Sequence, residues 1–163
     1  MKKYELTEEK KEFLGRTLYR IRALQDIELC GGTVIRAGEL GGWIEKEDNL
    51  SQEGSAWVSG EAEVSGEARV FGEACISGEA RVSGKARVSR ITHVMTFGPA
   101  GSRDDVTTFY RNKLDGISVS CGCFCGSIDD FLAAVEKTHG DNKHGQVYRA
   151  AAELAKLQID LEG

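Results

Sequence analysis

A glycine-rich loop with one arginine is the first place where this chain could hold a charged ligand. The segment FGPAGSRDD, residues 97–105, follows a predicted strand and presents Ser102 and Arg103. The planar guanidinium group of arginine suits phosphate or carboxylate oxygens, and a serine hydroxyl can donate a further hydrogen bond. The loop therefore predicts an anion site, although a network from Arg103 to Asp104 or Asp105 would explain the same residues.

Hydroxyl and aromatic side chains follow this loop in the next predicted strands. Thr107 and Thr108 would add hydroxyl groups, and Tyr110 and Phe124 would offer ring faces to a planar ligand. The segment CGCFCGS, residues 121–127, leads into a predicted helix, whose free N–H groups favour an anion. Together these residues are typical of a pocket for a small anion or a nucleotide.

The segment THGDNKH, residues 138–144, carries His139, Lys143 and His144. We expect these side chains to close over the bound ligand from the start of the last helix. A simple helix-helix turn with His139 as a capping donor is the alternative interpretation.

Cysteines and histidines in the same region raise the question of a metal site or a nucleophile. Cys121, Cys123 and Cys125 precede His139 and His144, and thiolate and imidazole groups suit zinc. In a regular strand, however, Cys121 and Cys123 would lie about 7 Å apart on one face, which is too wide for two ligands of one zinc ion. We predict small buried thiols, no metal and no catalytic set, while a zinc site and a Cys/His nucleophilic pair stay open.

Composition restricts the classes of partner. The formal net charge is −5, whereas a protein that binds DNA or RNA through phosphates needs a broad basic field. No apolar run reaches the roughly 18 residues of a membrane span, and MKKYELTEEKKEF lacks the apolar core of a signal peptide. We expect a cytoplasmic protein with free thiols, no cofactor, no nucleic-acid polymer and no membrane among its partners.

A strict six-residue repeat precedes these candidates in the chain and predicts the scaffold that carries them. From residue 54 to 89 the chain reads GSAWVS, GEAEVS, GEARVF, GEACIS, GEARVS and GKARVS. A hexapeptide period is typical of a β-helix with three hexads in each coil. The alanine and the aliphatic residue should then point inward. Segments 34–38 and 40–44 continue the register, giving about three coils over residues 34–89.

Stacked coils place residues eighteen positions apart beside one another. The expected aliphatic pairs are Val58 with Ile76, Val64 with Val82, and Val70 with Val88. Outside, Glu63 should meet Arg81, while Arg69 over Arg87 is a like-charge pair. The outward aromatic residues Trp57 and Phe71 would contact a neighbouring subunit, or else pack on the flanking segments.

The motif Val58-Ser59-Gly60-Glu61-Ala62 resembles the hexapeptide-repeat left-handed parallel β-helix family. This resemblance implies a homotrimer. The enzymes of that fold, acyltransferases and γ-type carbonic anhydrases, use histidines on or beside the coil, and residues 34–89 contain none. We therefore interpret the coil as an oligomerisation scaffold rather than an enzyme.

The flanks complete a mainly β fold with three parts: a cap segment (1–33), the β-helix (34–89) and a ligand-binding α+β domain (90–163). Alternation in TLYRIRAL, residues 17–24, favours a strand that caps the first coil. ITHVMTF, VTTFYR and ISVSCGCF read as three strands, followed by two helices in the order βββαα. The first helix begins after the cap residue Ser127 and stops at Gly140. The second is predicted from about Asn142 to Leu161, and its expected buried residues are Val147, Ala151, Leu154 and Leu161.

Further segments resemble uncharacterised phage and prophage proteins. TLYRIRAL, LGGWIE and NLSQEG resemble the hexapeptide-repeat or polymer-forming group, and GPAGSRDDVTTFYR, SCGCFCGSIDDF and KTHGDNKH resemble a C-terminal domain of such proteins. A small phage trimer with polar pockets is similar to immune-evasion sponges that sequester nucleotide messengers of bacterial defence. The resemblance implies a non-catalytic binding protein in the host cytoplasm. A structural adaptor and a Cys/His metal-dependent enzyme are the alternatives.

Overall fold

The computed structural model describes residues 2–101, 103–122 and 124–161, and the fold is mainly β with two helices near the C-terminus. The first strands are β1 (Tyr4–Phe13), β2 (Arg16–Ala23), β3 (Ile27–Glu28), β4 (Val34–Ile35) and β5 (Leu40–Ile44). Six two-residue strands follow: β6 (Trp57–Val58), β7 (Glu63–Val64), β8 (Arg69–Val70), β9 (Cys75–Ile76), β10 (Arg81–Val82) and β11 (Arg87–Val88). The C-terminal elements are β12 (Val94–Ala100), β13 (Asp105–Arg111), β14 (Ile117–Cys121), β15 (Phe124–Ser127), α1 (Ile128–His139) and α2 (Lys143–Gln158).

The six short strands stack in parallel pairs along the repeat. β6 pairs with β9, β7 with β10 and β8 with β11, so each residue lies beside the residue eighteen positions later. We name these six strands, β6 to β11, the stack. The repeat residues predicted to point inward are all buried: Ala56, Val58, Ala62, Val64, Ala68, Val70, Ala74, Ile76, Ala80, Val82, Ala86 and Val88. The eighteen-residue register predicted from the hexads is thus confirmed, as is the pairing of Glu63 with Arg81.

Upstream of the hexads the register changes. β5 pairs with β7 in parallel, but Trp43 lies beside Glu63, twenty positions later, and the 3₁₀ turn Glu47–Asn49 lies between these two strands. β4 pairs antiparallel with β3 instead of joining the stack, because a turn at residues 29–33 reverses the chain. The expected continuation of the register to residue 34 is therefore not observed.

An antiparallel hairpin of β1 and β2 packs against the stack through β5. β2 confirms the strand predicted over residues 17–24. The Tyr4 hydroxyl donates to the carbonyl oxygen of Leu50 at 2.6 Å, and the Tyr4 ring meets Trp57 edge-on at 6.4 Å. Trp57 is 1 % exposed, so its predicted outward position is wrong and the alternative, packing on a flanking segment, is correct.

The C-terminal strands form one antiparallel sheet in the order β12-β13-β14-β15. ISVSCGCF was expected to be one strand, but Gly122 adopts φ +58° and the chain reverses there, with Cys121 opposite Phe124. The predicted order βββαα therefore becomes ββββαα. Cys121 is the last residue of β14, and Cys123 lies outside the described residues.

Both predicted C-terminal helices form, but α2 ends at Gln158 rather than at Leu161. The Ser127 hydroxyl accepts the N–H of Asp130 at 3.1 Å, and Gly140 closes α1. The buried face of α2 is Gly145, Tyr148, Ala151, Ala152 and Ala155. The predicted burial of Leu154 is wrong, since it is 50 % exposed, because small alanines instead form the packed face of this helix. No helix among the described residues is long and apolar enough to cross a membrane.

The C-terminal sheet is covered on both faces. Opposite residues of an antiparallel pair share a face, so Phe109 and Val119 pack with the helices, while Thr108 and Tyr110 face the stack. The Thr108 hydroxyl accepts the backbone N–H of Arg81 at 2.9 Å. The stack therefore holds the sheet that presents the predicted binding residues.

Candidate functional site

Three segments that the sequence singled out separately meet at one cavity of about 300 Å³. Arg103 comes from the loop before β13, Phe124 from the start of β15 and His139 from the end of α1. The helices add Phe131 and Tyr148. We name this the aromatic cavity and define it by these five residues together with Asp105 and Cys121.

Ring faces form much of the wall. The Phe131 ring lies 5.6 Å from the Tyr148 ring and 5.7 Å from the Phe124 ring, measured between centroids. The His139 ring lies 5.8 Å from the Tyr148 ring at an interplanar angle of 32°. Such a wall suits a flat, polarisable ligand because aromatic rings pack by offset or edge contacts.

Polar atoms from three strands and α2 lie beside the rings. The Tyr148 hydroxyl donates to the carbonyl oxygen of Ala100 at 3.3 Å, and the Thr107 hydroxyl donates to Cys121 Sγ at 3.2 Å. Burial, together with the neighbouring Cys121 and Asp105, raises the pKa of Tyr148 to about 12. Tyr148 therefore keeps its proton at neutral pH.

Charged groups of both signs line the same space. Arg103 is exposed and forms no ion pair with any residue that the structure describes. The alternative network from Arg103 to Asp104 or Asp105 is accordingly not seen within residues 2–101, 103–122 and 124–161. Because the guanidinium donors are available and the Asp105 carboxylate lies nearby, the cavity suits a ligand with an anionic group and hydrogen-bond donors.

Of the other two basic candidates, His144 contacts a residue of this cavity and Lys143 does not line it. The His144 ring is 5.5 Å from the His139 ring, so α2 brings it next to a cavity residue. Lys143 is exposed at the first position of α2 and is not part of the wall. The imidazole of His139 contacts two rings, so it faces the cavity rather than only the helix-helix turn.

Three predicted binding residues are buried in the sheet without lining the aromatic cavity. The Thr107 hydroxyl donates to Cys121, and the Thr108 hydroxyl accepts the backbone N–H of Arg81, so both hydroxyl groups already form a hydrogen bond within the chain. The Tyr110 hydroxyl lies on the opposite face of the sheet, 3.1 Å from Ser120 Oγ. None of the three lines the aromatic cavity, and Ser102 lies outside the described residues.

Sequence reasoning missed Tyr148 and Asp105. One signal could have found Tyr148: it follows His144 by four positions, and residues four apart share a helix face. The choice of Val147 and Leu154 as buried residues placed the inward face of α2 one position away. Asp105 carried no local signal for the cavity, because only tertiary packing brings its strand end beside α2.

The cysteines separate onto different faces. Cys121 lies on the helix side of the sheet, whereas Cys125 lies on the side of the stack, where its sulfur is 3.1 Å from Ser83 Oγ. Among the described residues, Cys30, Cys75, Cys121 and Cys125 are free thiols, and no group of three or more His, Cys, Asp or Glu side chains could hold a metal ion.

Comparison with known proteins gives no relative. No protein family, curated protein or solved structure matches this chain. The geometry and the sequence therefore carry the functional argument.

Proposed function

We propose that this chain is a non-catalytic binding protein that holds a small anionic, nucleotide-like ligand in the aromatic cavity. The observation that carries the proposal is the convergence of Arg103, Phe124 and His139, from three separate segments, on one cavity. The guanidinium group of Arg103 would bind phosphate oxygens, and the rings would stack on a base. The Asp105 carboxylate would accept hydrogen bonds from sugar hydroxyl or base amino groups.

We further propose that residues 40–89 wind as a left-handed parallel β-helix and that three chains form a homotrimer. The eighteen-residue register and the buried alanines support a coil of three hexads. The hand and the trimer follow from the sequence resemblance alone. In this proposal the β-helix brings three binding domains together.

The biological role proposed from the same resemblance is sequestration. A phage-encoded trimer in the host cytoplasm would bind a nucleotide messenger of bacterial defence and lower its free concentration. Binding without turnover is sufficient for this role, which agrees with a cavity dominated by rings and one free guanidinium group.

Calorimetric titration of the full chain with a panel of linear and cyclic nucleotides tests the proposal. We expect at least one nucleotide to bind stoichiometrically and Arg103→Ala to weaken it roughly 10- to 100-fold, the loss of one charge-assisted contact. Arg36→Ala is the matched control, because Arg36 is exposed on the other part of the chain and, among the described residues, its ion pair is with Asp26, at 3.1 Å. Its affinity should equal that of the unmodified protein.

The outcomes separate the possible functions. Binding of no nucleotide, or equal binding by Arg103→Ala, contradicts the proposed site. A nucleotide recovered in altered form would instead indicate chemistry by Cys121 and His139, which line the same cavity. Sedimentation of the same sample should give about three times the 17.7 kDa chain mass, and a single-chain mass contradicts the trimer.

An adaptor that binds another protein is the second candidate. Leu154 and Leu157, one turn apart on α2, are 50 % and 86 % exposed, and large apolar side chains at such positions are suited to protein contact. A partner protein that is lost with Leu157→Asp but kept with Arg103→Ala would favour the adaptor.

A further inference from the structure

The outer face of β8 and β11 carries two arginines and a phenylalanine. Val70 and Val88 point into the core, so the residues beside them, Arg69, Phe71 and Arg87, point outward. The parallel register places Arg69 directly beside Arg87, at the strand spacing of about 4.8 Å. Phe71 is 40 % exposed and Arg69 is exposed in the single chain, so no described residue of that chain covers this face.

Neither guanidinium group is paired with a carboxylate among the described residues, unlike Arg81 in the neighbouring column of the stack. There, Glu63 lies beside Arg81 and their side chains approach to 3.8 Å. Neither Arg69 nor Arg87 forms an ion pair within the part of the chain that the structure describes; Arg87 uses Nη1, which donates to two backbone carbonyl oxygens at 2.9 and 2.8 Å. Because like charges opposite each other on adjacent strands repel, a bridging anion would relieve this pair.

A groove of about 470 Å³ runs along these residues, and it is larger than the aromatic cavity. Phe71 forms part of its wall. Leu50, which also lines the groove, pairs in parallel with Val70 on the side of β8 away from β11. Glu47 and Asp48 lie at the Leu50 end, and the carboxylate of Glu47 is paired with Lys2 at 2.9 Å. The groove thus offers two cations, a ring face and, at its far end, the Asp48 carboxylate.

We propose that this groove, defined by Arg69, Phe71, Arg87 and Asp48 and named the arginine groove, binds a small phosphorylated molecule. Paired guanidinium groups present donors in the planar arrangement that phosphate oxygens accept. The organic part of the ligand packs on Phe71, and its hydroxyl or amino groups donate to Asp48. The site shares no lining residue with the aromatic cavity, so it goes beyond the proposed function and does not depend on it.

Nuclear magnetic resonance of the full, ¹⁵N-labelled chain tests the groove, with AMP and inorganic phosphate as the probes. We expect AMP to shift the side-chain Nε signals of Arg69 and Arg87 and the amide signal of Phe71, and phosphate to shift the arginine signals alone. The double variant R69Q/R87Q should bind AMP at the groove at least 10-fold more weakly. The control variants are R36Q, which replaces another exposed arginine, and R103A. Both should leave the groove signals and the affinity of the groove for AMP unchanged.

Three results would overturn the proposal. The first is an affinity of the groove for AMP that is the same in R69Q/R87Q as in the unmodified chain. The second is that AMP shifts only signals of the aromatic cavity, which would leave the proposed function intact. The third is a change in sedimentation mass for R69Q/R87Q, which would identify this face as a contact between copies of the chain. Groove shifts without any shift in the aromatic cavity would have the opposite meaning, supporting the groove and opposing the first site.

Discussion

A buried amine holds the beginning of the chain against the stack. Lys3 is 1 % exposed, and its Nζ donates to the carbonyl oxygen of Ala56 at 2.7 Å and more weakly to those of Gly54 and Glu53, at 3.4 and 3.5 Å. No carboxylate pairs with it among the described residues. Burial lowers the pKa of Lys3 to about 8, because the charged form is poorly solvated there.

This amine should make stability depend on pH. In the unfolded chain a lysine has a pKa of about 10.4. Between about pH 8 and that value the unfolded state therefore binds more protons than the folded state does. The free energy of unfolding contributed by Lys3 therefore rises as pH increases through this window. Urea titrations from pH 7 to 10 should show that Lys3→Met removes this rise, whereas Lys2→Met, at the exposed neighbouring residue, keeps it. Parallel pH profiles for the two variants would contradict the argument.

Single residues of the candidate site were only partly predictable. Arg103, Phe124 and His139 could be chosen from the sequence, because guanidinium, aromatic and imidazole groups near glycine-rich turns indicate binding whatever their partners. Thr107, Thr108 and Tyr110 also carry hydroxyl groups that could bind a ligand, yet these groups are bonded within the chain, to Cys121, to the backbone N–H of Arg81 and to Ser120. Local sequence shows which groups a residue has, and only the packed structure shows whether those groups are free.

At the scale of the elements, the hexad glycine is the part of the repeat that the backbone requires. Gly72 and Gly78 turn the chain with φ of +63° and +65°, in the left-handed region that side chains with a Cβ rarely adopt. Their surroundings differ. A Cβ on Gly72 would lie 2.8 Å from the carbonyl oxygen of Ser89, whereas a Cβ on Gly78 would meet nothing within 4 Å.

These two glycines form a matched pair for substitution by alanine. Gly78→Ala should lower the free energy of unfolding by about 1–2 kcal/mol, the cost of a left-handed residue with a Cβ. Gly72→Ala should lower it by a further ~1–3 kcal/mol, because Ser89 must also move. Urea denaturation monitored by circular dichroism measures both values. If both variants lost the same free energy of unfolding, Ser89 would be able to move away from the new Cβ at no cost, which would contradict the prediction.

Strict periodicity explains which elements could be predicted. Six repeated hexads determine the inward residues, because a shift of one residue would turn charged side chains inward, and three hexads in each coil give the eighteen-residue register. Where the repeat loosens, prediction failed: β4 turned back on β3, and ISVSCGCF divided into two strands at Gly122. The packed face of α2 was predicted only in part: Ala151 is buried as expected, but Leu154 is exposed, because alanines provide close helix contact whereas hydrophobicity alone favours leucine.

At the scale of the whole molecule, one strand joins two hydrophobic cores. Tyr110 of β13 belongs to the core of the stack, and its neighbour Phe109 belongs to the core of the sheet and helices. Backbone bonds extend the junction, with the N–H of Lys113 donating to the carbonyl oxygen of Lys85 at 2.9 Å. Because neither core can lose β13 and stay closed, we expect the two parts to unfold together.

Two natural probes can test this coupling separately. Trp43 and Trp57, the two tryptophans of the chain, report on the stack and hairpin, while the circular dichroism at 222 nm reports mainly on α1 and α2. We expect the two signals to give coincident urea transitions at fixed protein concentration. Thr108→Val leaves the N–H of Arg81 without its acceptor and should shift both transitions together, by about 1–3 kcal/mol.

The exposed Thr96, opposite Thr108 in the sheet, provides the matched control, and Thr96→Val should leave both transitions in place. Loss of the helical signal while tryptophan fluorescence stays native would contradict the coupling, since it would mean that the stack stands without the sheet. Coincident transitions would instead mean that a ligand in the aromatic cavity also stabilises the stack, because binding to the folded state alone raises the stability of every part that unfolds with it.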